Sequence, residues 1–351
     1  MSLKKGTKDV SLLTKIPPNV EPKTVTTNGV YVASDEGLDG YSQVSVETSG
    51  VDINEYLSDT ITSGSSALGG WAKTLLKFRE PLIVQGINAS HMFAYCPLTT
   101  IPQIDTSNIT STYNMFKNCT NITTIPSLNT SKVTYMNSMF QHCDSLITIP
   151  QLDTSKVTDF AFMFDYCGKL ELVPELDTSS ATNIRSMFAN CSSLTTIPLF
   201  NTSKVNSIAY MFEKCSNLVS IPQLDTSNVT GMYNVFVNCT HLTTIPKLNT
   251  SKVKEMAYAF LNCIALTTLG GFENLGQAYL TTANANFSNY TLDLHYATLL
   301  THESLMNVIN NLYDIGTAGV QTQQLIVGST NLAKLTAEEI AIATSKGWTV
   351  S

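Results

Sequence analysis

The sequence predicts an α/β solenoid, a stack of coils of 24 residues each, flanked by smaller segments without repeats. Three columns recur with one period: a cysteine, a phenylalanine three residues before it, and an Ile-Pro or Val-Pro pair after it. The cysteine column is Cys96, Cys119, Cys143, Cys167, Cys191, Cys215, Cys239 and Cys263. Its first interval is 23 residues and the others are 24, so the coils are expected to stack in register.

The unit 129–152 indicates the structure of one coil. Apolar residues from Val133 to Cys143 recur three and four positions apart, which predicts one or two helical turns. The triplet Asn129-Thr130-Ser131 precedes them and supplies side-chain oxygens for capping. A short strand is expected to follow, with inward residues Leu146, Ile149 and Leu152. The Met and Phe columns are therefore predicted to form the core.

The cysteine column allows two interpretations. Stacking would place neighbouring Cys Cα atoms about 5 Å apart, a distance that disulfides tolerate. Parallel side chains and the missing secretory signal favour a ladder of small buried thiols instead. One Cys per coil gives no compact zinc cluster. The five histidines show no catalytic spacing and there is no phosphate-binding Gly loop, so neither a cofactor nor an enzyme is expected.

Some outward columns vary from repeat to repeat and carry large aromatic side chains. Such side chains are typical anchors for proteins or sugars. Packing against a neighbouring subunit explains them equally well. The candidate binding residues are Tyr113, His142, Phe162, Tyr166, Arg185, Tyr210, Tyr233 and Tyr258.

Composition excludes other classes of function. Charged residues make up 13% of the chain and the net charge is -7, without the basic stripe of a nucleic-acid-binding protein. No run of about 18 apolar residues predicts a membrane span. The segment Met1–Leu13 lacks the apolar run of a secretory signal, so the chain is expected to fold in a cytoplasm.

The pattern Asp-Thr-Ser-x-Val-Thr-x-Met-x-x-Met-Phe-x-x-Cys-x-x-Leu-x-x-Ile-Pro resembles the BspA-type leucine-rich repeats of bacterial surface and phage proteins. The resemblance covers about residues 88–272. It implies a right-handed leucine-rich-repeat solenoid that binds other molecules and has no catalytic residues. Ala181 replaces the usual Val, and Gly270-Gly271 replaces the last Ile-Pro, which suggests that the array ends there.

The flanks complete the domain organisation. Val-rich and Tyr-rich stretches with turn signals at Asn28-Gly29 and Asp39-Gly40 predict a small β module, which resembles modules of phage tail and fibre proteins. Near the C-terminus we expect a helix over 301–312, a strand over 325–327 and a helix that a Thr336–Glu339 capping box opens and Gly347 ends. The predicted segments are 1–22 attachment segment and linker, 23–49 β module, 50–88 N-terminal cap around Trp71–Phe78, 89–272 repeats and 273–351 C-terminal cap.

These features predict a non-enzymatic phage virion protein, a tail or head fibre component located in the virion. Its N-terminal region would attach to other virion proteins. Its repeats would bind a carbohydrate or protein of the bacterial envelope, and we expect a homo-oligomer because joined weak sites gain avidity. The alternative is a leucine-rich-repeat adhesin at the bacterial cell surface that binds host proteins.

Overall fold

The computed structural model describes residues 88–96, 99–101, 104–278, 291–318 and 322–351, together with the backbone of five short strands that precede them. These strands are β1 (Leu3–Lys5), β2 (Lys8–Val10), β3 (Gly29–Val32), β4 (Val44–Glu47) and β5 (Leu82–Val84). The chain divides into two units, Met1–Lys169 and Leu170–Ser351, which are described separately. Within the described residues, the structure contains no helix with the length and apolar character needed to cross a bilayer.

The first unit begins with two small sheets. Strands β1 and β2 form an antiparallel pair. Strands β3 and β4, which fall in the predicted β module, are also antiparallel, and β5 pairs with β4. Strand β6 (Ile104–Asp105) then runs parallel to β5, so this sheet reaches the repeats. The linker, the Trp71–Phe78 stretch and the turn at Asp39-Gly40 lie outside the described residues.

The predicted helix of the repeat is wrong: consecutive turns replace it, and the described residues of the repeats contain no α-helix. In one coil of the first unit, the N–H groups of Ser138 and Phe140 donate to the carbonyls of Ala161 and Met163 in the next coil, at 2.8 and 2.9 Å. Between these two residues, the Met139 N–H donates within its own coil to the Met136 carbonyl at 3.1 Å. The N–H groups that an α-helix would use internally therefore join one coil to the next.

The second unit repeats this arrangement. Tyr210 and Phe212 donate their N–H groups to the carbonyls of Tyr233 and Val235, at 3.1 and 3.0 Å. Two parallel pairs of short strands close its last coils. These pairs are β7 (Thr244–Ile245) with β9 (Thr268–Leu269), and β8 (Leu248–Asn249) with β10 (Phe272–Glu273).

The Phe and Met columns form the core of each unit, as predicted. Phe93, Phe116 and Phe140 stack nearly parallel in the first unit, with ring centroids 5.4 and 5.6 Å apart. In the second unit Phe212 and Phe236 stack at 5.6 Å. Offset stacking at this spacing supplies attraction beyond area burial, and repeats it at each coil.

All eight cysteines lie among the described residues, and they are buried thiols that form no disulfide. Each described thiol contact joins two coils: the Cys143 thiol donates to the Phe116 carbonyl at 3.1 Å, and the Cys239 thiol donates to the Phe212 carbonyl at 3.0 Å. Burial raises the pKa of the Cys263 thiol to about 12. A thiol that stays protonated is a poor nucleophile and metal ligand, so the column acts as packing and as a weak hydrogen-bond ladder.

The Asp/Asn-Thr-Ser triplet stabilises a turn rather than a helix start. Asp225 Oδ1 accepts hydrogen bonds from the Ser227 hydroxyl at 2.6 Å and the Ser227 N–H at 3.0 Å. Both bonds favour the charged form and lower the pKa of the Asp225 carboxyl. The buried Thr226 hydroxyl donates to the Asn249 carbonyl of the next coil at 2.8 Å. The triplet thus shapes its own coil and binds the following one.

The segment after the repeats is an α/β arrangement around a parallel sheet in the order β11-β12-β13. The chain runs through β11 (Thr291–Asp293), α1 (His302–Asn310), a short 3-10 turn (Gly316–Ala318), β12 (Gln323–Ile326), α2 (Gly328–Leu332), α3 (Ala337–Ser345) and β13 (Trp348–Val350). The predicted capping box at the start of α3 is confirmed, with Thr336 and Glu339 bonded reciprocally. Gly347 follows α3 with a positive φ of 85°.

Helix α1 lies against the last coil. The Ser304 hydroxyl accepts from the Leu269 N–H at 3.0 Å and donates to the Thr267 carbonyl at 3.1 Å. The Thr301 N–H donates to the same carbonyl at 3.0 Å. The backbone groups that an additional coil would have used are therefore partnered by α1.

Candidate functional site

The candidate residues lie on the turn segment of each coil, and most of them have an unusual backbone conformation. A turn runs from Met136 to Met139 and another from Phe140 to Cys143, each closed by a hydrogen bond between its first and last residues. The third residue of each turn, Ser138 or His142, has a positive φ of 56 or 58°. This is the feature of a type II turn, where Gly or Asn is usual.

The same two positions recur in the other coils and fall into two columns. The first column is His91, Asn114, Ser138, Phe162, Ser186, Tyr210, Asn234 and Tyr258. The second column is Tyr95, Asn118, His142, Tyr166, Asn190, Lys214, Asn238 and Asn262. Five of the eight candidate residues therefore have left-handed backbone, which strains any residue with a Cβ atom. They are His142, Phe162, Tyr166, Tyr210 and Tyr258.

In the first unit the structure brings two pairs of rings together. His142 stacks on Tyr166 with centroids 4.2 Å apart and an interplanar angle of 15°. The Nδ1 atom of His142 lies 3.8 Å from an Asp144 carboxylate oxygen. Tyr113 meets His91 edge to face at 5.1 Å. Tyr166 remains 43% exposed, so one face of the stack is open to solvent.

In the second unit three candidates form one cluster. The Arg185 guanidinium carbon lies 5.2 Å from the Tyr210 ring centroid and 5.7 Å from that of Tyr233. The two rings meet edge to face at 4.7 Å. Partial burial is the main cause of a raised pKa at Tyr210, and the neighbouring Tyr233 hydroxyl adds to it. The guanidinium is held by cation–π contacts with both rings.

Two candidates stand apart from these clusters. Phe162 is half-buried and Tyr258 is 64% exposed. Neither takes part in the ring contacts that join the other candidates. Within the first unit the candidates form a stacked pair, an edge-to-face pair and the single ring of Phe162. Within the second unit they form an arginine–tyrosine cluster and the single ring of Tyr258.

Two exposed aromatic residues of the repeats were not among the candidates predicted from the sequence. Tyr95 is 43% exposed and Tyr135 is 53% exposed. Tyr95 directly precedes Cys96, as His142 and Tyr166 precede their cysteines, so its column position was the available signal. Tyr135 occupies the position that is paired to the next coil through Asp159, where the aligned residues are small or polar.

A shallow groove of about 690 Å³ lies on another side of the second unit. Leu199 and Phe200 line it, together with the carboxylates of Asp177 and Asp225. Both carboxyls accept hydrogen bonds from serines of their own turns, which lowers their pKa. Carboxylates that are ionised and already bonded do not act as general acids. Among the described residues, no group of three or more His, Cys, Asp or Glu residues could hold a metal ion.

Three solved structures of bacterial leucine-rich-repeat proteins are similar to this chain. A leucine-rich-repeat protein of T. pallidum shares 21% identity, with 47% of this chain and 84% of that one covered and a TM-score of 0.35. One from Eubacterium ventriosum shares 16%, covering 54% and 86%, with a TM-score of 0.26. A leucine-rich cell surface protein of Faecalibacterium prausnitzii shares 16%, covering 70% and 96%, with a TM-score of 0.22.

A comparison with curated proteins gives no match. A family model matches the chain twice, over residues 87–196 and 169–271. These matches together span the repeats and just over half of the chain. The chain therefore belongs to the family described as "Mycoplasma protein of unknown function, DUF285".

Proposed function

We propose that this protein is a non-enzymatic binding protein of the bacterial repeat-adhesin type. Its turn segments present aromatic side chains to a partner outside the chain. The sites are the His142–Tyr166 stack, the cluster of Arg185 with Tyr210 and Tyr233, and the single rings of Phe162 and Tyr258.

The observation that carries this proposal is the combination of backbone strain and exposure at tyrosines. Asn190, Asn234 and Asn238 occupy left-handed positions at little conformational cost, because Asn tolerates this region. Tyr166 and Tyr258 occupy the same two columns, yet they remain 43% and 64% exposed. An exposed ring adds little to the core, so core packing does not compensate for the backbone strain at these tyrosines. Residues with strained backbone cluster at functional sites. Binding gives these tyrosines a role that folding does not.

Other contacts support a role without catalysis. The described cysteines are buried, and burial raises the pKa of the Cys143, Cys239 and Cys263 thiols. The groove carboxylates are bonded within their turns. Neither set offers a nucleophile or a proton donor poised near neutral pH.

The bacterial setting is supported by the family that matches the repeats, which is described from Mycoplasma. The virion setting is a second candidate, because the N-terminal flank resembles phage modules and an antiparallel pair, β3 with β4, falls within it. We expect the protein in envelope fractions of the producing bacterium. Mass spectrometry of purified phage particles from the same culture tests the virion setting. Finding this protein in the particles in stoichiometric amounts would favour a fibre component of the virion.

Binding is tested with the labelled full chain on bacterial and host cells. The variant Tyr166→Asn/Tyr210→Asn/Tyr258→Asn removes three rings while keeping residues that fit a positive φ. We expect it to fold and to bind at least about tenfold more weakly, because aromatic anchors dominate binding energy. Unchanged cell binding would refute the proposed face. A change from oligomer to monomer in light scattering, with cell binding retained, would assign the face to subunit packing.

A further inference from the structure

The Arg185 guanidinium has hydrogen-bond donors that the protein leaves unused. Its Nε is buried and has no acceptor. Among the described residues, no carboxylate or carbonyl oxygen is bonded to this side chain, whose contacts are the rings of Tyr210 and Tyr233. The buried Nε is shielded from a ligand as well as from water, so the terminal Nη groups of this half-buried side chain are the donors left for a ligand.

The side chain is also held in place for such a ligand. The Asn183 Oδ1 atom accepts a hydrogen bond from the backbone N–H of Arg185 at 3.2 Å. This bond fixes the backbone from which the Arg185 side chain extends. Two ring faces then orient the guanidinium without occupying its N–H groups. Glu213, whose charge helps to raise the pKa of Tyr210, is paired with Lys214 at 3.7 Å. The terminal Nη donors of Arg185 are oriented by the two rings and left for a ligand.

We propose that Arg185, Tyr210 and Tyr233 bind the carboxylate of an acidic saccharide. This inference rests on the proposed function, and names the ligand class of one of its sites. A guanidinium fork matches the two oxygens of a carboxylate in geometry and charge. The adjoining tyrosines are half-buried, and on the sides that the guanidinium does not cover they supply aromatic surface for the C–H side of a sugar ring, with hydroxyls for its polar edge. An acidic peptide would use the guanidinium but not this aromatic surface.

The test uses three acidic saccharides and their neutral counterparts. The acidic members are trigalacturonate, sialyllactose and a hyaluronan tetrasaccharide. The neutral members are methyl-esterified trigalacturonate, lactose and the carboxyl-reduced tetrasaccharide. Calorimetry with the full chain is expected to show binding of at least one acidic member, and about tenfold or greater weakening in its neutral counterpart, the usual effect of losing a charged hydrogen bond.

Variants assign the binding to the cluster. Arg185→Gln is expected to weaken the acidic saccharide about tenfold or more. Lys204→Gln removes an equal charge from an exposed position of the same unit and should leave the affinity unchanged. Circular dichroism and the unfolding midpoint show that both variants fold.

Several results would overturn the assignment. They are binding of no acidic member, equal binding of acidic and neutral members, unchanged affinity in Arg185→Gln, or preference for a hexa-aspartate peptide. If cell binding by the full chain still depends on the exposed tyrosines, any of these results rejects the ligand class while the proposed function stands. If cell binding is absent as well, the proposed function fails with it.

Discussion

The hydroxyl of Thr226 donates to the Asn249 carbonyl of the next coil, whereas the equivalent hydroxyl of Thr178 has no partner. Both threonines are 2% exposed and both belong to the Asp-Thr-Ser triplet of their coils. In most coils a leucine stands two residues before this threonine, as Leu224 does before Thr226. In the coil that follows Thr178 that position is Phe200, whose ring packs on Phe188 with centroids 5.9 Å apart. The two threonines thus form a natural pair for measuring one hydrogen bond between coils.

We expect Thr226→Val to destabilise the protein by about 1–2 kcal/mol, because the Asn249 carbonyl loses the donor of a partly buried hydrogen bond. Thr178→Val should be neutral or slightly stabilising, because a buried hydroxyl without a partner is replaced by a methyl group of similar size. Urea unfolding of the two variants beside the unchanged chain measures the difference. Equal losses of stability in both would show that packing around the hydroxyl, and not the bond, is what matters.

The contact of α1 with the last coil predicts a large effect at Ser304. Ser304→Ala leaves the buried Leu269 N–H without an acceptor and removes one donor from Thr267, which should cost about 1–3 kcal/mol. Ser345→Ala removes an exposed hydroxyl that is bonded within α3 and serves as the control, with an expected change under about 0.5 kcal/mol. Thermal unfolding followed by circular dichroism compares the two. A capping role for α1 would be contradicted by similar midpoints.

The buried thiols predict that stability decreases at alkaline pH. Burial raises the pKa of Cys263 from 9.0 to about 12, so the folded state keeps a proton that the unfolded state releases above pH 9. Stability from this thiol is complete below pH 9 and falls as the pH rises towards 12, by about 1.4 kcal/mol at pH 10. Urea midpoints at pH 7, 8.5 and 10 measure the decrease. Cys263→Ser, which has no group titrating in this range, should show a smaller decrease.

The left-handed backbone at Tyr258 makes a distinct prediction for glycine. Its φ is 57° and its ring is largely exposed, so removal of the ring alone leaves the backbone strain in place. Tyr258→Gly should be more stable than Tyr258→Ala by about 1 kcal/mol, although glycine normally weakens regular structure. Ala257→Gly, at the neighbouring position without a positive φ, should instead lower stability. If both glycine variants are destabilised relative to alanine, the turn assignment is incorrect.

Much of the fold followed from column positions in the sequence. The period of the cysteines, the inward Phe column and the capping box at Thr336 required only spacing. The helix inside each repeat was predicted wrongly because consecutive turns, like a helix, place residues three and four apart on one side. The Asn residues that directly precede Cys119, Cys191, Cys239 and Cys263 were the available signal, since Asn tolerates left-handed backbone in turns.

The candidate site was only partly predictable. The column positions of Arg185, Tyr210 and Tyr233 predicted that these residues face outward, but not that one guanidinium reaches the rings of the next two coils. That contact depends on side-chain rotamers and on the distance from one coil to the next, and the period of a sequence determines neither. The stacking of His142 on Tyr166 is easier to predict from the sequence, because the two residues directly precede the cysteines of adjacent coils.

The alternation of backbone bonds within and between coils has an evolutionary consequence. The Phe116 N–H donates to the Met139 carbonyl, and the Phe140 N–H donates to the Met163 carbonyl in the same way. Deletion of the codons for residues 120–143 would therefore bring Phe116 opposite Met163 with matching geometry. Unequal recombination between repeats could then shorten or lengthen the array in whole steps without a frameshift or a redesigned interior. Lineages would differ in how many coils they display, while the chemistry that joins any two coils stays the same.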